Sequence, residues 1–266
     1  MATVCTSPAD VLAHPEFKEA LLALLMDLAD DELTIGHRDS EWLGLAPDIE
    51  GDIAFSSIAQ DEVGHATFFF DRICELTGED ADELAFARAA DKRRNARLLE
   101  RENGDWAETI LRHYVYDVFD RVRLEALTGS SYTPLAEGAV KMLREEYYHL
   151  LHMETVLGRL SGGGEARQRV ERALDALRPE FGTLFSGALQ DPRLQRLGIL
   201  TASGEEIAAV WQREVQDHLQ AWRLPVPPEL QRVQPIPDGR STHTPALERM
   251  LKVMAEVYAA NPSAAW

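Results

Sequence analysis

Cysteine is scarce in this 266-residue sequence, and apolar runs long enough to cross a membrane are missing. Cys5 and Cys74 allow at most one disulfide and form no CxxC pattern, so a reducing, cytoplasmic setting is expected. The apolar run 20–26 is far too short to span a bilayer. The first residues contain neither the basic region nor the apolar region of a signal peptide. Together these absences predict a cytoplasmic protein that does not enter a membrane.

Positive charge is also scarce, with 27 Lys and Arg against 45 Asp and Glu and a formal net charge of −18. Such a chain repels nucleic acids and anionic membrane surfaces, so neither is an expected partner. The length suits one helical domain with extensions. We therefore predict a single all-α domain over 1–266, a ferritin-like four-helix bundle with additional C-terminal helices. Its core is expected at about 15–160, and the accessory helices and C-terminal extension at about 165–266.

Helical spacing of apolar residues carries this prediction. It indicates four long helices at about 15–36, 52–77, 106–127 and 134–160. Pro15 suits a first helical turn, while Gly36 and Gly78 suit the ends of the first and second helices. Two further amphipathic helices are expected at 165–189 and 204–222, and helical spacing resumes at 244–260 before an apolar tail at 264–266.

Two polar stretches separate these helices. Segment 224–245 contains six prolines and is predicted to be a connector. The basic cluster formed by Lys92, Arg93, Arg94 and Arg97 is predicted to be a solvated face. The long C-terminal extension is expected to pack on a partner or on the bundle surface.

The chemistry is indicated by two Glu-x-x-His elements, Glu62 with His65 and Glu146 with His149. Residues three apart share one face of a helix, so each element can present a carboxylate and an imidazole to one metal ion. Both elements interrupt apolar stripes, at positions where core residues would be expected. An unpaired buried carboxylate costs several kcal/mol, so a compensating group must lie nearby.

The preceding helices each add one carboxylate. Glu32 lies thirty residues before Glu62 and Asp117 lies twenty-nine before Glu146, so the second helix pair repeats the pattern of the first at offsets of 84 and 85 residues. Two-metal bundles use one carboxylate from each of two helices and a Glu-x-x-His from each of the others. Asp120, one turn from Asp117, is the alternative ligand on its helix.

Four carboxylates and two imidazoles without a thiolate favour two iron ions, with manganese as the alternative. A buried network of ion pairs without metal is the competing interpretation of the same residues. Asp61 and Glu145 precede the two motifs and are expected to accept the second ring N–H of the ligand histidines, unless they are solvated helix acids. Ordinary structural or surface roles are predicted for His37, His113, His152 and His218, and core packing for Tyr147 and Tyr148.

Beyond these residues, several runs resemble a known family. The run 41–47, Glu-Trp-Leu-Gly-Leu-Ala-Pro, followed by 58–66, resembles the ferritin-like subunits of bacterial phenylacetyl-CoA epoxidase. The run from Trp106 through Asp117, the run 145–150, and His243 with its following helix and closing Trp266 are similar. The likeness covers most of the chain and is closer to the structural C-type component than to the catalytic A-type component.

The resemblance implies a multicomponent monooxygenase that epoxidises the aromatic ring of phenylacetyl-CoA. It implies a catalytic A-type ferritin-like subunit and a separate reductase as partners, and a homodimer is a further assembly to consider. C-type components of that family are generally described as lacking metal ligands, whereas every ligand position is filled here. A stand-alone di-iron oxidase or oxygenase therefore stays open, as does iron handling of the ferritin kind, which the long Pro-rich extension disfavours.

Overall fold

The computed structural model describes residues 4–262 and residue 264. Its α-helices are, in order, α1 (Pro8–Leu12), α2 (Pro15–Ser40), α3 (Ile49–Thr77), α4 (Trp106–Leu127), α5 (Thr133–Leu160), α6 (Gly164–Leu177), α7 (Arg193–Arg196), α8 (Gly204–Ala221), α9 (Pro245–Met254) and α10 (Glu256–Ala260). Across the described residues, β pairing is limited to an isolated bridge between Cys5 and Tyr132. The all-α prediction is confirmed.

The four long helices begin and end at residues whose chemistry explains the boundary. Asp48 and Asp105 cap α3 and α4, because their carboxylates accept the backbone N–H of Gly51 and Glu108. Gly78 ends α3 in the left-handed region at φ 78°, where glycine is free of strain. The predicted bounds of the third and fourth long helices hold to within a residue.

Gly36 does not end the first long helix, contrary to prediction, and α2 continues to Ser40. A Cβ atom at Gly36 would lie 2.9 Å from the Cβ of Glu62 on α3. The glycine is therefore a point of close approach between α2 and α3 and not a cap. It brings the backbone of α2 next to the first Glu-x-x-His motif.

Two of the C-terminal predictions also need correction. The helix predicted at 165–189 is α-helical only to Leu177, because Pro179 lacks a backbone donor and the chain tightens into 3₁₀ turns at Arg178–Phe185 and Gly187–Gln190. The helix predicted at 244–260 is interrupted at Ala255. Segment 224–245 is a connector, as predicted, with one 3₁₀ turn at Pro228–Gln231. Of the predicted apolar tail, Ala265 and Trp266 lie outside the described residues.

The long helices pair as α2 with α3 and α4 with α5, and α3 also contacts α5. Accessory elements cover two members of this bundle: α6 and α8 pack on α4, and the turn Gly187–Gln190 packs on α2. The Trp211 indole on α8 donates to the carbonyl of Val115 on α4. This cover buries α2 and α4 more deeply than α3 and α5.

The basic cluster is not a uniformly solvated face, so that prediction is wrong for Arg93. This side chain is 1% exposed, and its guanidinium contacts Asp30 of α2 and the Ala85 carbonyl. The segment turns inward there because α2 carries buried acids that need cationic or N–H partners. Cys5 and Cys74 are free thiols. Within the described part of the chain, every helix is too short or too polar to cross a membrane.

Candidate metal centre

Carboxylates and imidazoles from α2, α3 and α5 converge inside the bundle. Glu32, Glu62 and His65 form one group whose potential ligand atoms all lie within 4.8 Å of one another, and Glu62, Glu146 and His149 form a second. All five side chains are buried, none more than 3% exposed. Glu62 belongs to both groups, so its carboxylate lies between them.

The two histidines face this centre through the same ring atom. Nδ1 of His65 lies 3.6 Å from Oε1 of Glu146, and Nδ1 of His149 lies 3.2 Å from that atom. Neither Nδ1 has a hydrogen-bond partner among the described residues. Each Nδ1 lone pair is thus available to a cation, provided that the proton of the neutral ring is on Nε2.

The acids that precede the motifs fix that proton by pairing across the helices. Nε2 of His65 lies 2.9 Å from Oε2 of Glu145 on α5, and Nε2 of His149 lies 3.2 Å from Oδ2 of Asp61 on α3. An ionised carboxylate only accepts, so Nε2 carries the hydrogen in both rings. Each acid therefore serves the histidine of the other helix, an arrangement that raises the basicity of a metal-binding imidazole.

Asp117 of α4 borders the centre on a third side. It forms a further group with Glu62 and His113. One oxygen, Oδ1, accepts from Nδ1 of His113 at 2.5 Å, and the other, Oδ2, is buried without a partner in the described structure. The second ring nitrogen of His113 donates to Asp39 Oδ2 at 2.8 Å.

Asp120, the alternative ligand, also has one buried oxygen, Oδ2, without a partner in the described structure, but its other oxygen is bound by an arginine. Its Oδ1 accepts from Nε and Nη2 of Arg123, and it belongs to none of the three candidate ligand groups in the described residues. Arg123 also reaches Glu32 Oε1 at 3.3 Å and Asp31 Oδ2 at 2.8 Å. The geometry therefore favours Asp117 over Asp120 as the carboxylate next to Glu62.

The unpaired atoms show what the centre fits. Buried oxygens without a hydrogen-bond partner in the described structure include Oε2 of Glu32, both carboxylate oxygens of Glu62 and Glu146, and Oδ2 of Asp117. Leaving one such oxygen unpaired in a protein interior costs about 1–3 kcal/mol, and more when it is charged. Inward oxygens and two Nδ1 lone pairs form a donor set that is complementary to metal cations. These buried groups can bind metal ions.

Burial and mutual repulsion set the protonation of the metal-free centre. Burial raises the pKa of Glu32 well above its ordinary value and that of Glu146 to about 7. Burial alone would lower the pKa of His65, but Glu62 and Glu146 raise it to about 9. The pKa of His149 is also raised, because Glu146 and Asp61 outweigh burial. Burial opposes ionisation of Glu62 too, yet Glu32 and the two histidines hold its pKa well below the ordinary value. Without metal, protons supply part of the missing positive charge.

Apart from Asp61 and Glu145, the sequence patterns do not identify the cations and acids that surround this centre. His113 was assigned only a general structural or surface role, although its spacing of four residues from Asp117 places both on one helix face. The contacts of Arg123 with Asp31 and Glu32 join α4 to α2, and no local pattern indicates them.

Tyr147 and Tyr148 are not core residues, contrary to prediction, since they are 60% and 68% exposed. With Glu146 and His149 turned inward, the 3.6-residue helical period turns these two tyrosines outward. The aromatic pair therefore lies on the outer surface of α5.

Comparison of the sequence with known proteins identifies a family and a relative. A model of the family described as "Phenylacetic acid catabolic protein" matches residues 6–266. The chain is similar to the C-type component of the 1,2-phenylacetyl-CoA epoxidase of Escherichia coli (strain K12). The two are 32% identical over 250 residues, which cover 92% of this chain and 99% of the relative.

Proposed function

The chain belongs to the phenylacetic acid catabolic protein family, and from that premise we propose that it is the C-type component of a multicomponent phenylacetyl-CoA epoxidase. One observation carries the proposal, the 32% identity that spans nearly the full length of both this chain and its Escherichia coli relative. We propose a cytoplasmic setting, with a catalytic A-type ferritin-like subunit and a reductase as partners.

The proposal includes a metal site in this chain. Glu32, Glu62, His65, Asp117, Glu146 and His149 would hold two metal ions, with Asp61 and Glu145 accepting the outer ring N–H of the histidines. The oxygen-rich donor set suits iron, with manganese as the alternative. Bound iron would supply redox chemistry towards dioxygen.

The residues of the centre themselves fix the positions of the ligand carboxylates and of the protons on the histidine rings. Glu62 belongs to both histidine groups, so its carboxylate would help to hold metal in either group. Asp61 and Glu145 accept from Nε2 of the two histidines, which leaves the Nδ1 lone pairs free to bind metal. The surrounding burial excludes water, which strengthens every interaction of the ligands with a cation.

The overall reaction sets what the partners must supply. Ring epoxidation consumes one dioxygen, two electrons and two protons per substrate, and it gives one epoxide and one water. A reductase is proposed as the source of the electrons. The substrate carries a polyanionic coenzyme A moiety, which the charge of −18 disfavours as a ligand of this chain.

The basic cluster does not change that conclusion. Arg93 is buried against Asp30, Lys92 pairs with Asp91, and Arg97 pairs with Glu180. Three of the four cations of the cluster are thus matched by acids, which leaves Arg94 as its main source of net positive potential. We therefore assign most of the coenzyme A contacts to the A-type subunit.

The outer surface of α3 and α5 is our candidate for the contact with that partner. Ile53 and Val63 on α3 and Tyr147, Tyr148 and Leu151 on α5 are exposed. Exposed apolar side chains are more frequent at protein interfaces, and tyrosine is enriched there. The accessory helices α6 and α8 pack mainly on α4, and these side chains of α3 and α5 stay accessible to a second bundle.

The test is reconstitution. The chain is purified alone and together with its A-type partner, and oxygen-dependent consumption of phenylacetyl-CoA is measured with a reductase present. We expect turnover only with both proteins. We also expect Tyr147→Ser with Tyr148→Ser to weaken co-purification by at least tenfold, while Glu137→Gln on the same helix has no effect. Robust turnover by the isolated chain would overturn the proposal.

The complete ligand set favours one second candidate, a stand-alone di-metal oxidase acting on another substrate. The same purification distinguishes the two functions. A chain that contains two metal ions, consumes oxygen with a reductase alone and fails to associate with an A-type partner would establish the second function instead.

A further inference from the structure

Two of the proposed ligand carboxylates are bound by side chains that lie outside the centre. In Glu32 and in Asp117, one oxygen accepts a hydrogen bond from such a nitrogen donor, and the other oxygen has no hydrogen-bond partner in the described structure. The donor behind Glu32 is Arg123, and the donor behind Asp117 is His113. Glu62 and Glu146 differ, because neither oxygen of either group has a hydrogen-bond partner there.

From this geometry we propose that His113 and Arg123 are positioning residues that hold the outer oxygens of Asp117 and Glu32, so that each carboxylate offers a single inward oxygen to a metal ion. The inference rests on the proposed metal site and extends it outward. Glu62 and Glu146, whose oxygens have no such donor among the described residues, would offer both oxygens to bound metal.

Both positioning residues are themselves anchored. His113 is fully buried, and its Nε2 donates to Asp39 Oδ2 at 2.8 Å, so the ring cannot turn without losing two contacts. Hydrogen bonds to ionised groups are stronger than those between neutral groups. The orientation of Asp117 is thus determined by α2 as well as by its own helix.

Arg123 has more anchors. Its guanidinium contacts Asp120, Tyr116 Oη at 3.2 Å, and Asp31 Oδ2 at 2.8 Å. Asp31 also accepts two hydrogen bonds from Arg240 of the C-terminal connector. Nη1 of Arg240 lies 2.7 Å from Oδ1 of Asp31, and Nη2 lies 2.8 Å from Oδ2. The planar fork of Arg123 can serve Glu32, Asp31 and Asp120 together, which the single ammonium of a lysine cannot do.

The experiment uses the full chain loaded with Co²⁺, whose visible spectrum reports the number and geometry of its ligands. Stoichiometry is measured by elemental analysis, and metal release is measured by competition with a chelator. We expect two Co²⁺ per wild-type chain. In His113→Leu we expect an altered spectrum for one ion and release that is faster by about 10- to 100-fold, the usual effect of losing such an outer contact.

Amide variants at position 113 separate positioning from packing. The amide nitrogen of asparagine reaches the place of the imidazole Nδ1, which contacts Asp117, whereas that of glutamine reaches the place of Nε2, which contacts Asp39. His113→Asn is therefore expected to restore the wild-type spectrum and release rate, and His113→Gln is not. A loss of packing alone would affect both amides equally.

Arg123→Lys tests the other half of the centre. It retains the positive charge that Asp31 and Asp120 require, so the fold is expected to persist, while Glu32 loses its contact. One ion should again be released about tenfold faster. Arg121→Lys is the matched control, because Arg121 lies on the same helix and pairs with Glu214 and Glu125 near the surface.

The outcomes are distinct. Wild-type chain that binds no Co²⁺ would overturn the proposed metal site, and this inference with it. The positioning roles would be overturned if both His113→Leu and Arg123→Lys bind two ions with an unchanged spectrum and with release rates within twofold of the wild type. The proposed metal site would then still stand. Equal behaviour of His113→Asn and His113→Leu would also overturn the role of His113.

Discussion

Replacing Glu146 by glutamine should stabilise the metal-free protein, and increasingly so as the pH rises. Burial raises the pKa of Glu146 from 4.5 to about 7 in the folded, metal-free state. The folded chain therefore binds this proton more tightly than the unfolded chain does. Stability from this group is fully present below pH 4.5 and is lost as the pH rises through 7, where the buried carboxylate ionises.

The magnitude follows from that change. A rise from 4.5 to about 7 corresponds to about 3 kcal/mol of lost stability once the pH exceeds the folded-state pKa. Glutamine has a similar shape and no charge, so Glu146→Gln should avoid this loss. The stabilising effect of the variant should be larger by roughly 2.5 kcal/mol at pH 8 than at pH 5, which is a difference of roughly 5–10 °C in Tm for a chain of this size.

The assay is thermal unfolding of chelator-treated protein, followed by circular dichroism at both pH values. Glu62→Gln is the internal contrast, because a lowered pKa means that the Glu62 carboxylate stabilises the fold above its ordinary pKa, so its amide should destabilise at pH 8. Glu137→Gln, on the exposed side of α5, is the neutral control. Equal effects of Glu146→Gln at pH 5 and pH 8 would refute the reasoning, since a carboxyl with an ordinary pKa gives little difference between them.

Three further predictions concern metal binding and helix packing. Loading two divalent ions at pH 7.5 should release at least two protons per chain, because His65 and His149 have raised pKa values and must lose a proton to bind metal, and the raised pKa of Glu32 adds to the release. Calorimetry in buffers of different ionisation enthalpy measures the number, and a release near zero would contradict the prediction. Anomalous scattering from crystals loaded with ferrous iron should show two ions roughly 3.5–4 Å apart, and density elsewhere or none would contradict the assignment. Gly36→Ala should destabilise by about 1–3 kcal/mol, since its Cβ would lie 2.9 Å from the Glu62 Cβ, whereas Gly64→Ala, with open space around it, should stabilise by about 0.5–1 kcal/mol; denaturant unfolding of both variants tests the contrast.

The long helices could be read from the sequence because their signals are local. Apolar spacing, the glycine after Thr77 and acidic caps at Asp48 and Asp105 act within a few residues of the helix ends. Gly36 shows where that reasoning fails. A glycine with helical flanks serves equally well as a cap or as a point of helix contact, and only the position of Glu62 on the neighbouring helix decides between them.

The candidate ligands were predictable for a related reason. A Glu-x-x-His pair on one face is a local pattern, and its repetition after 84 residues gives each copy a partner. The spacing also favoured Asp117 over Asp120, one turn away on the same helix, but it did not settle the choice. That decision depends on Arg123, which binds Asp120 and leaves Asp117 next to Glu62.

Apart from the acids that precede the two motifs, most outer contacts of the centre have no local sequence signal, because they cross between helices or connect distant segments. Asp31 is shared by Arg123 of α4 and Arg240 of the C-terminal connector, and position 240 lies 209 residues away in the chain. The local sequence around an acidic residue on a helix does not indicate which distant cationic side chain binds it. Electrostatics nevertheless restricts the answer, since a buried carboxylate must obtain a cation, a proton or several N–H donors. Asp31 obtains two guanidinium groups, whereas Glu62 and Glu146 obtain none in the described structure. Arginine thus neutralises Asp31 and Asp120, whereas the acids of the paired motifs lie next to the two histidines and keep oxygens free to bind a cation.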